Sequence, residues 1–334
     1  LPKLKSLPFN TIGFSKSPQI TIENLPELTS LVIGYGCLQN VGVLKLIGLK
    51  KLEKVIIGEN CFTKDQNDRD YGYSRNINSD PNRQFCLKEC DALRELKIGN
   101  GSFNDYSVCE IDSLNSLEVI EMGNGCFKNV GVLKLIGLKK LEKVIIGEKC
   151  FTQRSSFTLK ECDALRELKI GNGSFDDYSV CEIDSLNSLE VIEMGNGYFK
   201  NVGVLKLIGL KKLEKVIIGE KCFTQRGSFT LKECDALREL KIGNGSFNYY
   251  SVCEIDSLNS LEVIEMGNGC FKNVGVLKLI GLKKLEKVII GEECFMQENG
   301  SFTLKECDAL KELKSGDYSF CGYSVCEIDS LNSL

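Results

Sequence analysis

Leu138 to Phe151 reads LKKLEKVIIGEKCF, Cys162 to Phe175 reads CDALRELKIGNGSF, and Leu186 to Phe199 reads LNSLEVIEMGNGYF. The three segments start 24 residues apart and align without a gap. LKKLEKVIIG ends at Gly147, Gly219 and Gly291, a recurrence of 72 residues. The chain is therefore a 24-residue repeat grouped in blocks of three, and a repeat settles the architecture before any local reading does. Carried in both directions, the frame gives about 13 turns over residues 1–334, read as one solenoid. Ile57 to Ile98 spans 41 residues instead of 24. The excess falls in the polar stretch 63–84, rich in Asp, Asn and Arg, which reads as a surface-loop insertion.

Each column of the frame has a physical reading. One turn places Leu205, Leu207, Leu210, Leu213, Val216, Ile218 and Phe223 at its apolar positions; the next places Phe229, Leu231, Cys234, Leu237, Leu240, Ile242 and Phe247 there. Alternation at Leu205/Leu207 and Val216/Ile218 is the period of a strand, and the stretches between are too short for a helix. The expectation is two short strands per turn, with little or no helix. The glycine after the second strand (Gly171, Gly195, Gly219) marks a corner where a Cβ would clash. Burying seven such side chains is worth roughly 10–20 kcal/mol gross per turn. An isolated turn has nothing to bury them against, so stability requires stacked neighbours.

Composition narrows the function. The 334 residues carry 42 basic and 46 acidic side chains, 43% hydrophobic residues, 17 cysteines, and no histidine or tryptophan. A net charge of -4 argues against a nucleic-acid binder. No apolar run is long enough to span a membrane as a helix. Without histidine, Ser-His-Asp and Cys-His catalysis and imidazole zinc sites are excluded. DQNDRD (Asp65 to Asp70) fails the calcium-loop pattern, with Arg69 and Asp70 at the wrong places. Carboxylates are spread over identical turns rather than paired in a cleft. The reading is a non-enzyme with no cofactor and no metal.

L-x-x-[LVI]-x-[IM] followed by Phe five residues on resembles the leucine-rich repeat, with Phe151, Phe175 and Phe199 in its last Leu position. The usual Asn position holds Lys149, Gly173 or Gly197, so the asparagine ladder of the common subtypes is expected to be absent. A convex side too short for a helix looks most like the BspA-like class, known from surface proteins of bacteria and protists. A β-helix-like solenoid shares most of the same physics. The resemblance implies that the non-Leu positions of the leading strand face a ligand: Glu142, Lys143 and Ile145, then Arg166, Glu167 and Lys169, then Glu190, Val191 and Glu193. Two readings of these columns stand: a solvated, self-neutralising charge ladder, or a binding surface.

Three further patterns recur. Cys37 and Cys61, Cys126 and Cys150, and Cys270 and Cys294 each lie 24 apart, at equivalent places in adjacent turns and within reach of disulfide pairing if the protein is exported. N-x-S sequons stand at Asn100, Asn172, Asn244 and Asn299 as candidate glycosylation sites, or as tight Asn-Gly turns. Residues 204–227 carry net +4, residues 228–251 net 0 and residues 252–275 net -3, so an acidic turn always precedes a basic one. The expectation is a binding, adhesion or scaffold module at the cell surface or secreted, contacting protein, a repetitive surface polymer or another copy of itself. The alternative is a cytoplasmic interaction scaffold with every thiol reduced. No atypical capping turn is evident at the end of the frame, so the chain reads as a piece of a longer array.

Overall fold

The computed structural model describes residues 3–10, 17–63, 82–153, 156–177 and 180–329. Each turn carries two short strands, 26 in all, and no helix occurs among the described residues. Lys215–Ile218 and its equivalents, from Ser6–Phe9 to Glu312–Ser315, form one continuous sheet of 13 parallel strands. Pairing is in frame throughout: Val191 lies beside Lys215, and Lys215 beside Glu239. Val216 and Ile218 point inward and are at most 1% exposed, while Lys215 and Ile217 stay half-buried. This is the expected period of two.

The other strand of each turn behaves differently. Its 13 members split into a sheet of four and three sheets of three. The groups run from Gln19–Ile22 to Val108–Asp112, Val132–Ile136 to Val180–Asp184, Val204–Ile208 to Tyr250–Asp256, and Val276–Ile280 to Tyr323–Asp329. One sheet is thus continuous and its opposite is interrupted every third turn. Each interruption falls where an acidic turn meets a basic one.

The core lies between the sheets and runs the length of the stack. All seven apolar columns of the turn Leu205 to Phe223 are buried, as are those of the next turn, Cys234 included. Phe62, Phe103, Phe127 and their equivalents to Phe320 form a spine of near-parallel rings, with consecutive centroids 4.6 to 5.7 Å apart. Every Phe of this column has a positive φ, from 43° at Phe199 to 58° at Phe320. That region disfavours residues with a Cβ. Ring stacking and full burial of the phenyl groups offset that strain. The corner glycine behaves as expected: a Cβ on Gly171 would sit 2.6 Å from Glu148 N and Gly147 C of the turn below.

The polar stretch needs a correction at its far end. Gln84 opens the strand Gln84–Lys88, and Arg83 is only 3% exposed. Arg83 donates to the Phe62 carbonyl at 2.9 Å and lies over the Tyr106 ring. The chain thus rejoins the solenoid through a buried arginine. Residues 64–81, the bulk of the insertion as read, lie outside the described residues.

Candidate functional site

The nine residues taken as a ligand face all lie on or beside the continuous sheet. Glu142 and Arg166 are exposed, and the other seven are half-buried. Their charges are largely used by one another. Lys143 pairs with Glu167 at 3.3 Å, Glu167 with Lys169 at 2.7 Å, and Lys169 with Glu193 at 3.3 Å. The zigzag continues through Lys215, Glu239, Lys241 and Glu265 to Lys287. Hydrogen bonding from Lys169 holds the Glu167 carboxyl below its ordinary range. Exposed pairs of this kind contribute at most ~1 kcal/mol each. They balance the strand charges, while Glu142, Arg166 and Glu190 at the strand margin make no ion pair among the described residues.

The corner brings the cysteine pairs and the sequons into one column. Its occupants run Cys126, Cys150, Ser174, Tyr198, Cys222, Ser246, Cys270, Cys294. Each donates to a carbonyl of an earlier turn: Cys126 to Gly99 at 3.2 Å, Cys150 to Gly123 at 3.2 Å, Ser174 to Gly147 at 2.7 Å, and Tyr198 to Ile170 at 2.6 Å. Ser174 also accepts from the Cys150 amide at 2.9 Å. Cys61, Cys270 and Cys294 bond to Gly34, Gly243 and Gly267 in the same way; Cys37 reaches the Phe9 carbonyl at 3.4 Å. The neighbouring thiol together with burial pushes the Cys126 and Cys270 thiols far up. The column therefore satisfies buried carbonyls with thiol or hydroxyl donors. That the sequon serine and the ladder cysteine share one frame position was the available signal.

Asparagines form a second column, one residue before the usual place. Asn100 Oδ1 accepts from the Asn124 amide at 2.8 Å, and Asn124 Oδ1 from the Glu148 amide at 2.8 Å. Asn172, Asn196, Asn244 and Asn268 repeat the pattern. The ladder of the common subtypes is absent at its usual position, held by Lys149, Gly173 and Gly197, and this column one residue earlier takes its place, because the Gly-Asn corner aims the side-chain carbonyl at the next turn. The sequon residues Asn100, Asn172 and Asn244 also donate through Nδ2 to Glu59, Glu148 and Glu220. Asn299 sits apart, exposed, just before the strand Gly300–Lys305.

Sequence reasoning missed the feature that most resembles a site. Where the interrupted sheet breaks, three equivalent grooves open, with volumes of 510, 600 and 480 Å³ along the chain. In the middle one, Val180, Glu182 and Asp184 form one wall and Val204, Lys206 and Ile208 the other. Val180, Val204 and Ile208 are 42%, 48% and 44% exposed. Cys181 lies in the floor, its thiol pushed far up by burial. Glu182 is tied back to Lys160 at 2.9 Å, as Glu110 is to Lys88 and Glu254 to Lys232. Lys134, Lys206 and Lys278 on the basic walls, and Asp112, Asp184 and Asp256 on the acidic ones, make no ion pair among the described residues. The signal lay in VLKLI: if both Leu face in, Val and Ile must face out. No group of three or more metal-ligating side chains occurs among the described residues.

A BspA type leucine rich repeat region matches residues 93–202, 168–301 and 216–333, with six copies. Together these matches cover more than two thirds of the chain. The protein belongs to the BspA-type leucine-rich repeat family. Comparison with curated proteins and with solved structures finds no match. Membership accounts for the repeat frame, and it points to a protein-binding or adhesion module.

In this BspA-type solenoid the corner column should tolerate its own alphabet and nothing else. Cys150→Ser is expected to change stability by less than about 1 kcal/mol, since serine already serves that position in two of the eight turns of the column above. Ser174→Ala strands the Gly147 carbonyl and the Cys150 amide, and leaving a buried group unpaired costs about 1–3 kcal/mol. Urea unfolding of both variants is the check. Equal losses would show that the donor is not what the column supplies.

Proposed function

We propose that this chain is a non-catalytic protein-binding module of a cell-surface or secreted protein, and that the interrupted sheet is its ligand face. One observation carries this. The strand charges of the continuous sheet pair with one another from Lys143 to Lys287, leaving the flanking Glu142, Arg166 and Glu190, whereas each groove sets an ammonium and a carboxylate that make no ion pair among the described residues beside exposed Val and Ile. Isolated exposed apolar residues need no explanation, but a repeated row beside unpaired charge does. Three equivalent grooves favour an extended or periodic partner, because each added contact raises avidity without new chemistry. Nothing in the arrangement offers a nucleophile beside a base, so binding rather than reaction is its chemistry.

The test pans a multivalent phage-displayed peptide library against the full chain. Selected phage are then measured on variants with Asn at Val132/Ile136, Val204/Ile208 and Val276/Ile280, singly and together. Those side chains are exposed, so the fold should persist. Altering all three grooves is expected to lower avidity about 10²–10⁴-fold, and one groove much less. Phage insensitive to the grooves but sensitive to Glu142, Arg166 and Glu190 would move the ligand face to the continuous sheet.

A second reading has its own support. Each ladder thiol donates a hydrogen bond that oxidation would remove, which favours an intracellular scaffold with reduced cysteines. Thiol labelling of the native protein separates the two: protected Cys126 and Cys150 after denaturation mean a bridge and an oxidising compartment.

A further inference from the structure

We propose that the partner of the interrupted sheet is a second copy of this chain, packed face to face with its solenoid axis antiparallel. This rests on the reading of that sheet as the ligand face. It adds the occupant and the orientation.

Charge order supplies the orientation. Along the axis, the outward residues of the interrupted sheet run basic, mixed, acidic: Lys206, then a middle strand whose Lys232 is already paired with Glu254 at 3.0 Å, then Glu254 and Asp256. The same order precedes it from Lys134 to Asp184. Reversal turns basic–mixed–acidic into acidic–mixed–basic. A two-fold axis parallel to the strands therefore lays each lysine strand over an acidic strand of the other copy, in every block. Val204 then meets the level of Val252 or Val180 and Lys206 that of Glu254 or Glu182, because this axis preserves position along the strand. With parallel axes, Lys134, Lys206 and Lys278 would face their own equivalents. Like charges held opposite one another are destabilising.

The period supplies the partner. A face that repeats every three turns, ~14 Å at ~4.8 Å per turn, is matched at all three grooves only by a partner of the same spacing. A second copy has that spacing by construction. A slip of one block still satisfies two grooves but loses the third, so full overlap is favoured through multivalency. The unpaired groups fit as well. Lys134, Lys206 and Lys278 lack a carboxylate and Asp112, Asp184 and Asp256 lack an ammonium group. Across the two-fold each Asp stands two residues further along the strand than the facing Lys, about 7 Å, a gap that the flexible lysine side chain can span.

Size is sufficient. Thirteen strands at ~4.8 Å and five residues at ~3.3 Å give a face of about 60 by 16 Å. Two such faces bury about 1,900 Å², the scale of a stable protein–protein interface. Sheets packed face to face through Val and Ile, about 10 Å apart, are an ordinary solution for two-layer β structure. The polar groups leave the interface salt-sensitive, since exposed charge is screened beyond about 8–10 Å at physiological ionic strength.

Charge reversal tests the geometry as well as the contact. The full chain is studied by sedimentation equilibrium alongside two triple variants: Lys134→Glu with Lys206→Glu and Lys278→Glu, and Asp112→Lys with Asp184→Lys and Asp256→Lys. All six positions are exposed. The wild-type chain is expected to dimerise, and each variant alone to lose at least about tenfold in association, a change of about 1.4 kcal/mol. Mixed in equal amounts, the variants should recover a heterodimer, because reversed lysine strands meet reversed aspartate strands and native meets native. Recovery also shows that both variants are folded. A wild-type chain that stays monomeric at millimolar concentration, or association that neither variant disturbs, overturns the proposal. So do variants that fail to rescue each other. Peptide phage still held by the grooves of a monomeric chain would leave the ligand-face reading standing and remove only the second copy. Loss of both would remove the reading itself.

Discussion

Phe223→Ala is expected to destabilise its neighbourhood by about 3–5 kcal/mol, the usual cost of removing a fully buried phenyl ring. The ring is 0% exposed and is stacked on Phe199 at 5.5 Å and on Phe247 at 4.9 Å. Its removal breaks the spine on both sides at once. The damage should stay local, because each turn contacts only its neighbours and stability is close to a sum over adjacent interfaces. Hydrogen exchange is therefore expected to lose protection across residues 199–247 while distant turns hold theirs. The backbone adds a sharper expectation. Phe223 sits at φ 53°, where a Cβ costs roughly 1–2 kcal/mol that glycine does not bear. Phe223→Gly should thus be no worse than Phe223→Ala, reversing the order found at ordinary core positions. Uniform loss of protection, or a glycine variant clearly worse than alanine, would contradict the stacked-turn account.

The sequence made some of this legible and hid the rest for physical reasons. Inward columns such as Val216 and Ile218 are readable because burial acts on each residue separately and the frame averages over many turns. The corner at Gly171 is readable because only glycine recurs there. The positive φ of Phe199 and Phe223 is not, since phenylalanine has no preference for that region and is placed there by its ring. Asn100 and Ser102 looked like a glycosylation signal because the motif is local. In the fold they belong to two different columns, one linking corner amides and one capping glycine carbonyls. The grooves were the hardest to anticipate. VCEID and VLKLI each read as good strands, and opposite charge suggests that they pair. Whether adjacent strands hydrogen-bond depends on how two turns sit against each other, which no single-strand pattern encodes.

Gly171→Ala is expected to cost about 3–5 kcal/mol although it adds one methyl group. The added Cβ would lie 2.6 Å from both Glu148 N and Gly147 C and 3.0 Å from Gly147 O. All three obstacles are backbone, so no rotamer change relieves them. Overpacking against side chains typically costs 1–3 kcal/mol, roughly the range in which a neighbour can still give way. Here the turn itself must lift. Lifting it stretches the bond from Gly171 N to Ile146 O, now 2.6 Å, and the bond from Ser174 to Gly147 O, now 2.7 Å. Each buried group left unpaired adds about 1–3 kcal/mol. The backbone conformation is not the reason, for Gly171 has no positive φ, in contrast to Gly173 two residues on at φ 70°. The two glycines therefore separate close approach from conformational need. Lys149 occupies the Gly173 position one turn earlier at φ 54°, so Gly173→Asn should be tolerated within about 1 kcal/mol, asparagine being among the residues that accept this region. Thermal unfolding of the pair decides the matter. A mild Gly171→Ala together with a severe Gly173→Asn would mean that the corner is governed by backbone conformation and that the turns are not packed as tightly as these distances state.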